Sequence, residues 1–134
     1  PRQDPYSEYS AVVPKFICLM ADGKRPVIYG DGTQSRDFTY VDNVVQANLK
    51  AVDAKGAAGE VFNVACGGRV DLNALAARLR EIMDVDIEPE YDKPRPGDVP
   101  HSEADISKAR RILGYDPTVL MDEGLGRTVK FFTL

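Results

Sequence analysis

PVIYGDGTQSRDFTYVDNVVQA, residues 26–47, sets how the rest of the chain is read. The short apolar run Val27-Ile28-Tyr29 meets a Gly30-Asp31-Gly32-Thr33 turn, and a mixed run from Ser35 to Val41 follows. Val44, Val45, Leu49 and Val52 then recur at helical spacing. β-Branched and aromatic residues in succession suit a strand, and glycine on either side of Asp31 supplies the positive φ that a tight turn needs. The spacing therefore predicts two strands paired about an Asp-Gly turn. It also predicts a helix capped by Asp42, with the valine-leucine stripe as its apolar face. Strand and helix following so closely put the chain in the α/β class.

Upstream, residues 7–22 carry Val12, Val13, Phe16, Ile17 and Met20 at helical spacing, closed by Asp22-Gly23. Pro14 fits such a helix only in its first turn, where no N–H is required. Downstream, Gly56 and Gly59 bracket the helix exit, and Val61 to Ala65 predicts a buried strand closed by Gly67-Gly68. Asp71 or Asn73 caps a helix whose stripe is Leu72, Leu75, Ala76, Leu79, Ile82 and Met83. Ile87 to Tyr91 alternates and reads as a strand, while the prolines and glycine of Lys93 to Pro100 predict an ordered loop. Asp105 is expected to cap a short helix through Ile106, Ala109 and Leu113, stopped by Gly114. Asp122 is expected to cap the last helix, with Leu125, Val129 and Phe132 on one side. No internal repeat or linker interrupts the pattern, and 134 residues fit one domain, 1–134.

Composition excludes several classes. Lys plus Arg number 17 against 21 Asp plus Glu, a net charge of −4, so neither nucleic acid nor an anionic membrane is an expected partner. No apolar run approaches the ~20 residues that span a bilayer. Cys18 and Cys66 give no disulfide framework and no zinc site. Pro1-Arg2-Gln3-Asp4-Pro5 has no signal-peptide pattern, which leaves the cytoplasm as the default location. The sequence does not open on Met, and a piece of a longer chain is expected.

Few residues recommend themselves for chemistry. Neither Gly30-x-Gly32 nor Gly67-Gly68 has the spacing of a dinucleotide-binding turn that opens a helix, and both read as ordinary turns. His101, the sole histidine, lies in the polar loop region and reads as an ordinary loop residue. Glu88 and Glu90 read as one solvated strand face. Arg36 and Arg95 stand at constrained places, one on a strand and one in a proline-stiffened loop. A guanidinium fork makes bidentate hydrogen bonds to phosphate and never deprotonates, so two converging arginines would clamp a pyrophosphate. Asp98 could accept hydrogen bonds from ribose hydroxyls. The alternative is surface pairing, Arg36 with Asp37 or Asp42 and Arg95 with Asp92.

PRQDP, YSAVVPKFI, the 26–47 stretch, GEVFNVACGG, DLNALA, RPGDVPHSEADISKARRILGYDP and a closing EGL..TV.FF follow one another from end to end. In that order they resemble the C-terminal part of the NAD-dependent nucleotide-sugar epimerases of the extended short-chain dehydrogenase/reductase family. The UDP-glucose and UDP-N-acetylglucosamine 4-epimerases are the nearest subgroup.

The resemblance implies an α/β substrate-binding portion of such an enzyme, without the N-terminal dinucleotide-binding Rossmann half. By that resemblance Arg36 and Arg95 would meet the diphosphate of a UDP-sugar and Asp98 the ribose. Val27, Ile28 and Tyr29 would line the uracil through backbone groups, with Phe38 near the nucleoside. Ala11, Val12 and Val13 would bring helix N–H groups to the nucleotide, and Gln3 and Ser102 would face the sugar. NAD is implied for the full-length family member. The family's hydride shuttle through a 4-keto sugar uses a Tyr-x-x-x-Lys pair, which this sequence lacks. The isolated chain is therefore expected neither to bind NAD nor to turn over. A homodimer is implied for the full-length protein, and self-association is expected of the fragment. Dehydration, decarboxylation or reduction by the same scaffold, and a stand-alone nucleotide-sugar-binding module, remain the alternatives.

Overall fold

A computed structural model describes residues 11–133. In chain order the elements are α1 (Val12–Ala21), β1 (Val27–Tyr29), β2 (Ser35–Arg36), α2 (Val41–Asp53) and β3 (Val70–Asp71). They continue with α3 (Leu72–Met83), β4 (Glu90–Asp92), α4 (Ser107–Leu113) and α5 (Met121–Phe132). The class is α/β. The described residues gather into two compact units, residues 11–34, 71–100 and 125–133 in the first and residues 35–70 and 101–124 in the second.

In the first unit α1 packs against α3. Phe16, Ile17 and Met20 of α1 and Leu75, Ala76 and Leu79 of α3 are buried; each large side chain removed from water contributes roughly 1.5–3 kcal/mol. Residues 7–10 of the expected first helix lie outside the described residues. Pro14 falls at the third position of α1, where its missing N–H costs nothing. Of the two candidate caps for α3, Asp71 is the one used: its Oδ1 accepts the Ala74 N–H at 2.7 Å. Asn73 instead donates to the Asp31 carbonyl at 3.0 Å and accepts from the Tyr91 hydroxyl at 2.8 Å.

The expected hairpin is not formed. β1 pairs in parallel with β4, Val27 opposite Glu90, Ile28 opposite Tyr91 and Tyr29 opposite Asp92. The Gly32 carbonyl beyond the turn accepts the Leu72 N–H at the start of α3, at 3.0 Å, which commits it to that helix and not to a hairpin. The strand expected over 35–41 is reduced to Ser35–Arg36, and β4 begins at Glu90 and not at Ile87. Pro89 has no N–H to offer a ladder, and the Arg25 guanidinium takes the carbonyls of Glu88 and Pro89 at 2.9 and 2.8 Å. Glu88 lies outside the strand and pairs with Arg80, so the carboxylate pair expected on one strand face is not there.

In the second unit Ala47 from α2, Ala65, Ile106, Ala109, Leu113 and Tyr115 form one buried cluster. The Tyr115 hydroxyl donates to the Ala65 carbonyl at 2.8 Å. Asn43 is fully buried and acts as a peptide surrogate. Its Nδ2 donates to the Val119 carbonyl at 2.7 Å, and its Oδ1 accepts the N–H groups of Thr118 and Val119, both at 3.0 Å.

Five expectations are corrected in this unit. The α2 N-cap is Tyr40, and Asp42 sits inside the first turn. The stripe Val44, Val45, Leu49 and Val52 faces outward, with Leu49 67% and Val52 81% exposed; Asn43 and Ala47 point inward instead. Val61 to Ala65 is not a strand among the described residues: Val61 is 81% exposed, while Phe62 and Val64 rest against the core cluster. Side chains serve this backbone, Lys108 Nζ meeting the Val61 carbonyl at 2.9 Å. The α4 N-cap is Ile106, yet Asp105 still serves that end, its Oδ1 accepting the Ser107 N–H at 2.9 Å. Gly114 ends α4 at φ 61°, as expected, and Asp122 lies within the first turn of α5, so it does not precede that helix.

Candidate functional site

The candidate residues fall into two sets, one in each unit, and Gln3 lies outside the described residues. In the first unit Ala11 is the N-cap of α1 and offers no side-chain cap, while Val12 and Val13 open the helix half-buried. First-turn amides have no partner within their own helix, which suits this end to an electronegative group. Among the described residues the strand partner of β1 is β4, along one edge. The Pro26 carbonyl accepts from Glu90 and the Gly30 N–H donates to Asp92, so the peptide groups of Val27 and Tyr29 point the other way. The Tyr29 carbonyl is met there by Gln34 Nε2 at 2.6 Å, and the Ile28 side chain is fully buried beneath.

The loop after β4 carries Arg95 and Asp98. Arg95 does not turn to Asp92. Its guanidinium lies 3.9 Å from the centre of the Tyr29 ring, and Asp92 Oδ1 accepts the Lys93 N–H. Gly97 at φ 79° makes the turn in which the Asp98 N–H reaches the Arg95 carbonyl at 3.3 Å, so these two residues are fixed on one short bend. Asp31, in the turn after β1, accepts the Thr33 hydroxyl and N–H at 2.7 and 3.0 Å. Those bonds hold its carboxyl below the usual range.

In the second unit Ser35 joins the remaining candidates. Its carbonyl accepts both Arg36 Nη1 at 2.9 Å and the Ser102 N–H at 3.0 Å, bringing Arg36 and Ser102 to one peptide. Ser35 Oγ lies 2.9 Å from His101 Nδ1, and the two residues form a parallel bridge. His101 is thus a pin between β2 and the following loop; no spacing rule links residues 66 apart, and sequence reasoning missed it. Asp37, one of the two partners that the alternative of surface pairing gives Arg36, accepts the N–H groups of Cys66 and Gly67 at 2.9 and 3.0 Å. Phe38 follows half-buried. Burial and the nearby Asp37 charge push the Cys66 thiol up, away from a nucleophilic thiolate. Among the described residues no cluster of His, Cys, Asp or Glu could hold a metal ion.

Neither glycine pair forms the pyrophosphate-binding turn of a dinucleotide fold. Gly67-Gly68 precede α3, but the N-terminus of that helix is already taken by the Asp71 carboxylate, whose charge opposes a phosphate. Gly30 and Gly32 lead into β2 and not into a helix.

Comparison with known proteins extends these observations. The sequence model described as "NAD dependent epimerase/dehydratase family" matches residues 1–65. The UDP-glucose 4-epimerase of Mycolicibacterium smegmatis is 38% identical over 132 residues, covering 98% of this chain and 42% of that protein. The dTDP-glucose 4,6-dehydratase of Streptomyces griseus is 34% identical over 133 residues, covering 98% and 39%. Among solved structures, the UDP-glucose 4-epimerase of Thermotoga maritima with UDP-glucose matches at a TM-score of 0.92 and 45% identity, covering 98% of this chain and 42% of that one. The chain therefore spans about two fifths of the length of the relatives it matches. In sequence and in fold the chain belongs to the NAD-dependent epimerase/dehydratase family, of the extended short-chain dehydrogenase/reductase type.

Proposed function

We propose that the chain is the UDP-sugar-binding portion of a 4-epimerase acting on a UDP-hexose or UDP-N-acetylhexosamine. The likeness to the epimerase solved with UDP-glucose, over nearly the whole chain, is the observation that carries this reading. Two features of the residues support it. Arg95 and Asp98 are held on one bend, and Arg36 is held by the peptide that also fixes Ser102. Arg36 and Arg95 bind the two phosphates through their guanidinium forks, Asp98 accepts from the ribose, and the outward peptide edge at Val27 and Tyr29 serves the uracil. Phe38 lies near the nucleoside, the first-turn amides of Ala11, Val12 and Val13 serve the nucleotide, and Gln3 and Ser102 face the sugar.

NAD would supply the redox chemistry in the full-length enzyme. The residues of this chain bind and orient the substrate, and no hydride step is assigned to them. Lacking a Tyr-x-x-x-Lys pair, the chain alone is inactive. A sister reading, sugar-nucleotide dehydration, is favoured by the dehydratase relative; it uses the same binding residues.

Calorimetry with UDP and UDP-glucose tests the binding assignment. A charge-assisted hydrogen bond contributes about 1.5–3 kcal/mol, so Arg36→Ala or Arg95→Ala should weaken UDP by about one to two decades. A parent chain indifferent to UDP, or an Arg95→Ala variant that binds as the parent does, overturns it. Bound NAD seen by absorbance, or sugar interconversion above a blank, overturns the inactivity.

A further inference from the structure

We propose that the Tyr29 ring is a positioning residue that holds Arg95 ready for the diphosphate. The inference deepens the UDP-sugar reading and rests on it.

Arg95 belongs to a loop, residues 93–100, that is exposed throughout. Its prolines stiffen the backbone but do nothing for a side chain with several rotatable bonds, whose ordering on a ligand is costly. The structure supplies the missing restraint at Tyr29. The ring presents its face to the Arg95 guanidinium, 3.9 Å from its centre, well inside the range of a cation–π contact. The ring is itself well founded. Tyr29 is the last residue of β1, its strand is registered against β4 through Asp92, and its carbonyl is held by Gln34. The next residue, Gly30, lies against Pro94: a Cβ built on it would come within 3.9 Å of that ring. The turn after β1 and the start of the arginine loop are thus in register before any ligand arrives. The contact with the ring needs no carboxylate, so the guanidinium fork is not spent on an acidic neighbour. The Asp92 alternative would have consumed that fork.

Two measurements test this. In the ligand-free chain, nuclear magnetic resonance should show the Arg95 δ and ε protons shifted upfield by the ring current, the shift disappearing in Tyr29→Leu and returning in Tyr29→Phe. By calorimetry, Tyr29→Leu should weaken UDP about threefold to fivefold, the scale of an exposed cation–π contact, and Tyr29→Phe should rescue it. In an Arg95→Ala background Tyr29→Leu should cost nothing further. A Tyr29→Leu loss that persists without Arg95, UDP affinity unchanged in Tyr29→Leu, or absence of the upfield shift in the parent overturns the positioning role. A parent that shows the shift but does not bind UDP overturns the nucleotide reading and, with it, the purpose assigned to the stack; binding without the shift overturns the stack alone.

Discussion

Replacing Asn43 by leucine should be among the most destabilising single changes in the second unit. The side chain is fully buried and makes three good hydrogen bonds to the backbone of Thr118 and Val119. Leucine fills much the same volume but leaves the N–H and C=O of the buried Val119 without partners. Each such group costs about 1–3 kcal/mol. Thr118 is exposed, so water can replace its bond, and the added apolar burial returns roughly 1 kcal/mol. The net loss should be about 3 kcal/mol, and with a urea m-value of about 1.5 kcal/mol/M the midpoint should fall by about 2 M. Asn43→Asp separates hydrogen bonding from packing. Protonated, the new acid can donate to the Val119 carbonyl and accept the two N–H groups; ionised, it is a buried charge facing a carbonyl oxygen. Burial raises its folded pKa above the ordinary value of about 3.9. Its stability is therefore intact below that value and is lost as pH rises through the folded pKa. Urea titrations followed by circular dichroism at pH 4 and pH 7 read both effects. A leucine variant within 1 kcal/mol of the parent, or an aspartate variant whose deficit does not shrink in acid, would refute the surrogate-peptide role.

Arg36→Lys and Arg95→Lys should each recover only part of the UDP affinity lost in the alanine variants, because lysine keeps the charge without the fork; calorimetry measures the recovery. Gln3→Ala and Ser102→Ala should change the preference between acetylated and plain UDP-hexoses while leaving the affinity for UDP alone near the parent's, as competition titrations would show. Leu49→Lys combined with Val52→Lys should lower binding of a hydrophobic dye and reduce self-association in light scattering, since both side chains are exposed on α2. The Asp105 carboxyl is held below its usual range by the Ser107 N–H and hydroxyl. A depressed folded pKa gives stability present above the unfolded value and lost as pH falls, so Asp105→Asn should flatten the acid limb of the unfolding curve.

Periodicity located the helices well because an amphipathic stripe records burial against something. α1 and α3 carry stripes that meet each other; α3 runs over the expected Leu72–Met83, and α1 closes at the expected Asp22, while Ala11, expected inside that helix, is its extended N-cap. The stripe of α2 misled: Val44, Val45, Leu49 and Val52 are as regular as any, yet the residues turned inward are Asn43 and Ala47, a polar amide and a small side chain. The strands failed for a related reason. β1 finds its partner in β4 and not across the Asp-Gly turn, and pairing at that separation leaves no trace in local spacing. Arg36 and Arg95 could be singled out as constrained arginines, but their neighbours could not. The Ser35–His101 pin and the Tyr29 ring beneath Arg95 join residues 66 apart in both cases, and only the fold brings them together.

The stem at Gly32 and Leu72 has an engineering consequence. The Leu72 N–H reaches the carbonyls of both Gly32 and Gln34, so the chain leaves the first unit and re-enters it at nearly the same spot. Residues 35–70 are, for that unit, a detour that ends where it began. The closed stem makes a natural insertion point: a foreign cassette whose own termini lie close together, placed there, would add little loop-closure entropy and leave α1 packed on α3 and β1 paired with β4.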